Sequence, residues 1–433
     1  MQIKLKYIQL LFCVLFPAML FAQQNSSSPY SYYGLGDITL KGYGRNDAMG
    51  GLFSAVRNPL HINYQNPASY TALTHTTFET GVNGSLTRLE QDGLTKETNN
   101  ATLAYLGFGF PISDKIAITT GIEPYSAVGY NITINESFST IDNTNFDYQT
   151  IYSGTGGINR FHLGIGVMPF KNFSIGANLN YLFGKLDRVR SQVFEDEDDL
   201  LNRRDVESLN IKDVQFTFGA QYKYELDEKK SILFGATASP ASKLDAEYNQ
   251  FTLTYDILFE EERVRDTIAN ISESGNFDMP LDGSFGISYV EKDKLTVGLD
   301  YQFQNWGSVS QFFGGPVQGL INNNRFILGA AYVPEKTNLH KYWKKVEYRA
   351  GFRYSSGYLE IAGDNNSNPE NIDEIGITFG LGLPMRKTLS SLNIGFELGQ
   401  RGTNSNNLIR EQFLRFNLSL TLNDKWFKTR KID

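Results

Sequence analysis

The stretch "LRFNLSLTL", residues 414–422, alternates without a break. Leu414, Phe416, Leu418, Leu420 and Leu422 share one side, and Arg415, Asn417, Ser419 and Thr421 share the other. Successive side chains of an extended strand point to opposite faces, so such a run has one apolar face and one polar face. The same period recurs in "NFSIGANLNYLFG" (172–184) and in "LNIGFELG" (392–399). Strands of this kind are expected near 76–89, 100–111, 115–136, 146–169, 172–193, 207–226, 230–256, 277–291, 294–306, 324–334, 345–361, 371–385, 388–401 and 409–423. That makes fourteen, an even number. The tight turns "PISDK", "PFKN", "DEKK", "EKDK" and "PMRKT" alternate with polar links at 90–99, 137–145, 194–206, 257–276, 307–323, 362–370 and 402–408, and 335–344 is the one longer turn on the short side.

A soluble sandwich with one wet face alternates in the same way, so strand number and loop asymmetry decide between the two. Short turns at one end, long loops at the other and an even strand count form the pattern of an outer-membrane barrel with both termini on the periplasmic side. After residue 22 no stretch approaches the ~18 consecutive apolar residues of a helical span. The 31 Phe, 24 Tyr and 40 Gly suit a barrel wall. Closure satisfies every backbone N–H and C=O in lipid, which an open sheet does not. The fold class expected is therefore all-β, a 14-stranded antiparallel transmembrane β-barrel.

The first 22 residues read as a signal peptide. Lys4 and Lys6 precede an apolar run from Tyr7 to Phe21, and Ala22 stands before the polar "QQNSSS". Cys13 lies within that run, so the mature chain carries no cysteine, which excludes disulfides and thiolate metal sites. Without Lys4 and Lys6 the chain has 38 basic residues against 47 acidic ones. That balance excludes the basic stripe of a nucleic-acid binder.

Residues 23–75 precede the first strand and are rich in glycine and proline. "RNPLHINYQNPASYTAL" (57–73) holds two Asn-Pro pairs, Asn58–Pro59 and Asn66–Pro67. Asn-Pro starts turns, and proline lacks the N–H that a ladder needs. Barrel diameter grows with strand number, so fourteen strands enclose a lumen their own side chains do not fill. A compact plug (hatch) over 23–75, turned by these pairs and lodged in the lumen of a barrel over 76–433, accounts for them.

The motif Asn66-Pro67-Ala68, preceded by "AMGG" (48–51) and followed by fourteen strands, resembles the FadL/TodX-type (OMPP1-like) outer-membrane transporters. The resemblance covers nearly the whole mature chain. It implies passive uptake of hydrophobic small molecules, fatty-acid-like or aromatic, through a plugged lumen in the outer membrane of a Gram-negative bacterium. It also implies a kinked third strand that opens the wall sideways. Here that strand carries Glu123, Pro124, Tyr125, Gly129 and Tyr130, where proline removes a ladder bond and glycine permits a bulge. The family's ligand-collecting loops correspond to 194–206 and 257–276, and both are acidic here, as in "FEDEDDLLNRRD" (194–205). An acidic mouth suits a fatty-acid carboxylate poorly. The same barrel therefore also fits a non-transporting subunit or scaffold of an outer-membrane secretion or protein-assembly complex. The partners implied are outer-membrane lipid, a hydrophobic ligand or other outer-membrane proteins, with no nucleic acid.

No enzyme, cofactor or metal site is expected. His61, His75, His162 and His340 lack metal spacing, and no serine sits in a Gly-x-Ser-x-Gly elbow. The run Glu195 to Asp199 lacks the glycine and frame of a calcium loop and reads as a solvated loop. The polar strand faces carry Glu123, Arg160, Lys223, Asp300, Glu347, Arg349, Arg353, Glu397 and Arg415. Charges in a lumen must be hydrated or paired, so these are expected to pin the plug. Alternatively, Arg160, His162, Arg349 or Arg353 meets an anionic head group.

Overall fold

The computed structural model describes residues 26–425 except 40–41, 140–144, 195–199, 260, 310–318, 339 and 364–367. The signal peptide with Cys13 and the acidic run Glu195 to Asp199 lie outside the described residues. Fourteen wall strands follow one another: β1 (Thr76–Gln91), β2 (Leu94–Ser113), β3 (Ile116–Ser139), β4 (Asn145–Phe170), β5 (Phe173–Phe194) and β6 (Asn202–Glu225). Next come β7 in two runs (Lys230–Ser239, Ser242–Leu258) and β8 in two runs (Glu261–Met279, Asp282–Glu291). The ring is completed by β9 (Leu295–Gln304), β10 (Asn323–Tyr332), β11 (Glu347–Ser355), β12 (Glu374–Pro384), β13 (Ser391–Arg401) and β14 (Arg410–Asp424). Each strand pairs antiparallel with its sequence neighbours, and β14 closes on β1 from Arg410↔Glu90 to Asp424↔Thr76.

The two faces of the wall are inverted relative to a soluble protein. On β12 and β13, Phe379 and Leu398 are 53% and 56% exposed, whereas Thr378 and Glu397 are 3% and 6% exposed. Apolar side chains outward and polar ones inward is the arrangement that lipid requires. The tight turns between β2 and β3, β4 and β5, β6 and β7, β8 and β9, and β12 and β13 share one rim with Thr76 and Asp424, the periplasmic rim by the loop rule.

At the other rim the structure corrects two expected loops. Residues 90–99 form a hairpin turning at Asp92 and Gly93, both with positive φ, and pairing resumes at once with Gln91↔Leu94. Residues 257–276 are mostly strand, paired from Glu261↔Leu258 to Met279↔Ser242. About 9–11 residues of tilted strand cross a bilayer. The 24, 26, 22 and 24 residues of β3, β4, β5 and β6 therefore extend well beyond it. The extensions at 92–99 and 261–276 are exposed on both faces, so they show no apolar period and look like loops. Both breaks in β7 and β8 carry a proline, Pro240 and Pro280, and they lie side by side, since Ser239 pairs with Asp282 and Ser242 with Met279.

Candidate functional site: a charged interior and an interruption between β2 and β3

The Asn-Pro pairs are turn starters. Asn58 Oδ1 accepts the Leu60 N–H at 2.9 Å, and Asn66 Oδ1 accepts the Ala68 N–H at 3.1 Å. Asn66 thereby caps a short 3₁₀ helix, Pro67–Ala72, with proline at its first position, where no N–H is lost. In "AMGG", Gly50 and Gly51 adopt φ of 73° and 87°, which only glycine takes up freely.

Residues 42–73 bond to side chains from many strands. The Phe53 and Ser54 N–H groups donate to Asp300 Oδ2 on β9, each at 2.7 Å. The Gly50 N–H donates to Thr378 Oγ1 on β12 at 2.8 Å. Gln221 on β6 donates to the Ser54 carbonyl at 2.9 Å. Wall glycines face this backbone directly. A Cβ on Gly351 would meet Met49 and the Gly50 N–H, one on Gly329 the Met49 carbonyl, and one on Gly176 Pro67.

Many of the buried charges gather in three groups. In the first, Glu123 on β3 lies opposite Arg160 on β4, with Arg160 Nε donating to Oε1 at 2.7 Å. His162 Nδ1 stands 3.2 Å from the other oxygen, and the Tyr43 hydroxyl 3.4 Å from it. Arg160 lies over the Tyr64 ring, 4.9 Å from its centroid. In the second, Glu347 on β11 pairs with Arg45 (2.9 Å) and with Arg349. In the third, Arg353 pairs with Glu374 and Glu397, and Arg415 joins Glu374 at 2.8 Å. Beside it Arg401 pairs with Asp37, and the Ser28 hydroxyl donates to Glu411. A cavity of about 240 Å³ opens within this third group. Lys223 instead pairs with the half-exposed Glu225 near the rim (3.0 Å).

Sequence reading missed Asp37, Arg45, Glu374, Arg401 and Glu411. A signal existed for three of them: counting by twos from Thr378, Glu397 and Arg415 reaches Glu374, Arg401 and Glu411, and the register sets Arg401 opposite both acids. No such parity exists for Asp37 and Arg45, which lie outside the barrel strands.

The ladder between β2 and β3 stops at Leu106↔Ile122. Above it β2 pairs only with β1, and the edge of β3 is taken by a two-residue strand, Asp37–Ile38, opposite Ala127 and Ser126. The register shift on the β4 side falls between Pro124 and Ser126. Gly129 pairs regularly with Thr155, and its N–H donates to the Ser31 hydroxyl at 3.1 Å, so the expected bulge at Gly129 moves to Tyr125. Proline breaks the ladder by its missing N–H, whereas glycine merely permits a bulge that nothing here demands. From Tyr125 to Tyr130 every residue is buried, so alternation ceases and β3 is covered on both faces.

Arg160 and His162 thus share the Glu123 carboxylate, whereas Arg349 and Arg353 belong to separate groups. Among the described residues no cluster of His, Cys, Asp and Glu converges on a metal position. Replacing Glu123 by Leu leaves Arg160 and His162 buried without their carboxylate, a loss of about 3–5 kcal/mol. The heat-modifiable gel shift of the folded barrel should then occur at lower temperature. An unchanged transition would show that the group adds nothing to the wall.

The sequence model of the BamG family matches residues 4–433. The chain belongs to the BamG family. No curated protein sequence matches it. Among solved structures, this BamG-family barrel is similar to the toluene transporter TbuX of Ralstonia pickettii, with TM-score 0.55 and 15% identity over 89% of this chain and 99% of that one. It is also similar to the toluene transporter TodX of P. putida (0.55, 14%, 89% and 100%) and to the CymD monoaromatic hydrocarbon channel (0.52, 13%, 92% and 100%). At these identities the likeness is one of fold. A closed fourteen-strand barrel with an apolar exterior and this likeness is an outer-membrane protein of a Gram-negative bacterium.

Proposed function

We propose that this barrel is a sealed subunit of an outer-membrane protein complex, with residues 23–75 acting as a plug in its lumen. The observation that carries this reading is the chemistry of the interior. The cavity there is bounded by Asp37, Arg353, Glu374, Glu397, Arg401 and Glu411. A hydrophobic ligand crossing it would strip water from paired ions without offering them a bond, at a cost of several kcal/mol per ion. The strand extensions beyond the bilayer supply protein-binding surface that a pore for small molecules does not need. Solubilisation in mild detergent followed by affinity purification should bring down outer-membrane partners in fixed stoichiometry. Recovery of a lone barrel, from cells whose uptake of toluene or oleate depends on it, would overturn this reading.

One observation favours a second reading, passive uptake of fatty-acid-like or aromatic compounds with lateral release into the lipid. The β2–β3 ladder ends just below Pro124, and apolar side chains including Tyr125, Val128 and Tyr130 cluster beside the interruption. Uptake would then fall in the Pro124→Val, Gly129→Val double variant at equal levels of folded barrel.

A further inference from the structure

The periplasmic rim surrounds a second, larger cavity of about 1030 Å³. Its walls are the turns after β6, β8, β10 and β12, and residues 57–61 contribute to its lining. Twelve Lys and Arg line it against five Asp and Glu, although the whole chain carries an acidic excess. Three of the five acids are spent within the bowl: Glu291 on Lys294 (3.0 Å), Asp293 on Lys336 (2.5 Å) and Glu347 on Arg45 and Arg349. Asp227 accepts the backbone N–H groups of Lys229 and Lys230 at 2.8 and 2.7 Å, which hold its carboxylate below the usual range.

The cations are less committed. Lys229, Lys230, Lys292, Lys345, Arg386 and Lys387 have no ion pair among the described residues. Arg57, deeper in, donates to the hydroxyls of Ser174 and Thr71 and meets no carboxylate. Arg349 Nη1 is buried without a hydrogen-bond partner. Between the charges lie Leu60, Val290, Leu295, Val333, Met385 and Leu389.

We infer that the basic periplasmic bowl is a docking site for an acidic peptide segment of a periplasmic partner protein. The volume lies at the upper end of ligand pockets, which run to about 1,000 Å³, and so exceeds what a single carboxylate or phosphate needs. The apolar side chains among the cations match a peptide of mixed acidic and apolar residues better than a bare polyanion. The bowl is lined by the inner side of the turns and by residues 57–61, whereas lipid head groups surround the barrel from outside. Unpaired cations also steer an acidic partner to the rim, an effect that salt weakens. The inference deepens the subunit reading and rests on it for its biological partner.

The test uses the full-length barrel in a zwitterionic detergent and a fluorescein-labelled peptide alternating Asp or Glu with Leu or Phe. Anisotropy should report saturable binding that weakens as salt is raised. Binding should drop at least about tenfold in the Lys229→Glu, Lys230→Glu, Lys387→Glu variant, whose changes lie on solvent-exposed turns. The milder Lys229→Gln, Lys387→Gln variant should lose less, and it serves if the charge reversal prevents folding, as read by heat-modifiable migration. The same peptide with Asn and Gln for its acids should not bind. Equal binding of that neutral peptide, or acidic-peptide binding indifferent to the substitutions, would overturn the inference. So would a bowl that takes inorganic polyphosphate or anionic lipid nanodiscs but not the peptide. Loss of the bowl's binding with co-purifying partners retained defeats this inference alone. A barrel that binds the peptide yet has no partners in cells defeats the subunit reading instead.

Discussion

A barrel expressed with its signal peptide but without residues 23–72 is expected to insert into the outer membrane and to conduct small polar solutes that the full-length chain should exclude. The wall does not need the segment. All fourteen strand pairings, including the closing β14–β1 pair, run between wall strands, and the deletion removes only the short Asp37–Ile38 pairing on the edge of β3. The Arg353–Glu374–Glu397–Arg415 group is likewise built from wall strands and survives the deletion. What disappears are the bonds of residues 45–54 to Asp300, Thr378, Gln221 and Glu347. Water takes their place, and a fourteen-strand lumen is wide enough to carry that water. The readout is single-channel conductance in planar bilayers, supported by sensitivity of cells to small hydrophilic antibiotics. A folded deletion barrel that stays closed would mean that other elements seal the lumen, and the plug proposal would fall.

Replacing Gly351 by Leu should produce much of the same leak by one substitution. Gly351 on β11 stands against Met49 and the Gly50 N–H, and any Cβ there would collide with that backbone. Neither side yields cheaply, because the wall is held by ladders on both flanks and Gly50 is bonded to Thr378. Overpacking a closed interior costs about 1–3 kcal/mol, and a whole Leu side chain belongs at the top of that range. The segment, held by side-chain bonds, gives way before the ladder does. Ala350→Leu is the control, since Ala350 is exposed and the added carbons enter lipid. Conductance and accelerated proteolysis of residues 42–73 from the periplasmic side should appear in Gly351→Leu and not in Ala350→Leu. A tight Gly351→Leu barrel with wild-type proteolysis would show that the wall deforms instead.

Strand number, closure and the lipid-facing side of each strand were legible in the sequence because they rest on a pattern that repeats every two residues. Thr378 and Phe379, or Glu397 and Leu398, are sorted to opposite faces by parity alone, and lipid makes that sorting strict. Parity also marked Glu123, Arg160, Asp300, Glu347, Arg349, Arg353, Glu397 and Arg415 as polar-face charges. It was silent wherever both faces are wet, so the hairpins at 90–99 and 257–276 read as loops. It was silent again where both faces are covered, as from Tyr125 to Tyr130.

Which charges meet was decided only by the tertiary structure. The register around the ring accumulates from turn lengths and from shifts such as the one at Pro124–Ser126, and a slip of one residue would turn Glu397 outward. The segment before the barrel has no period at all, so nothing local announces that Asp37 reaches Arg401, Arg45 reaches Glu347, or Asp300 receives Phe53 and Ser54. The basic bowl has the same origin. Its lysines are scattered over four turns in an acidic chain, and only closure of the barrel gathers them around one opening.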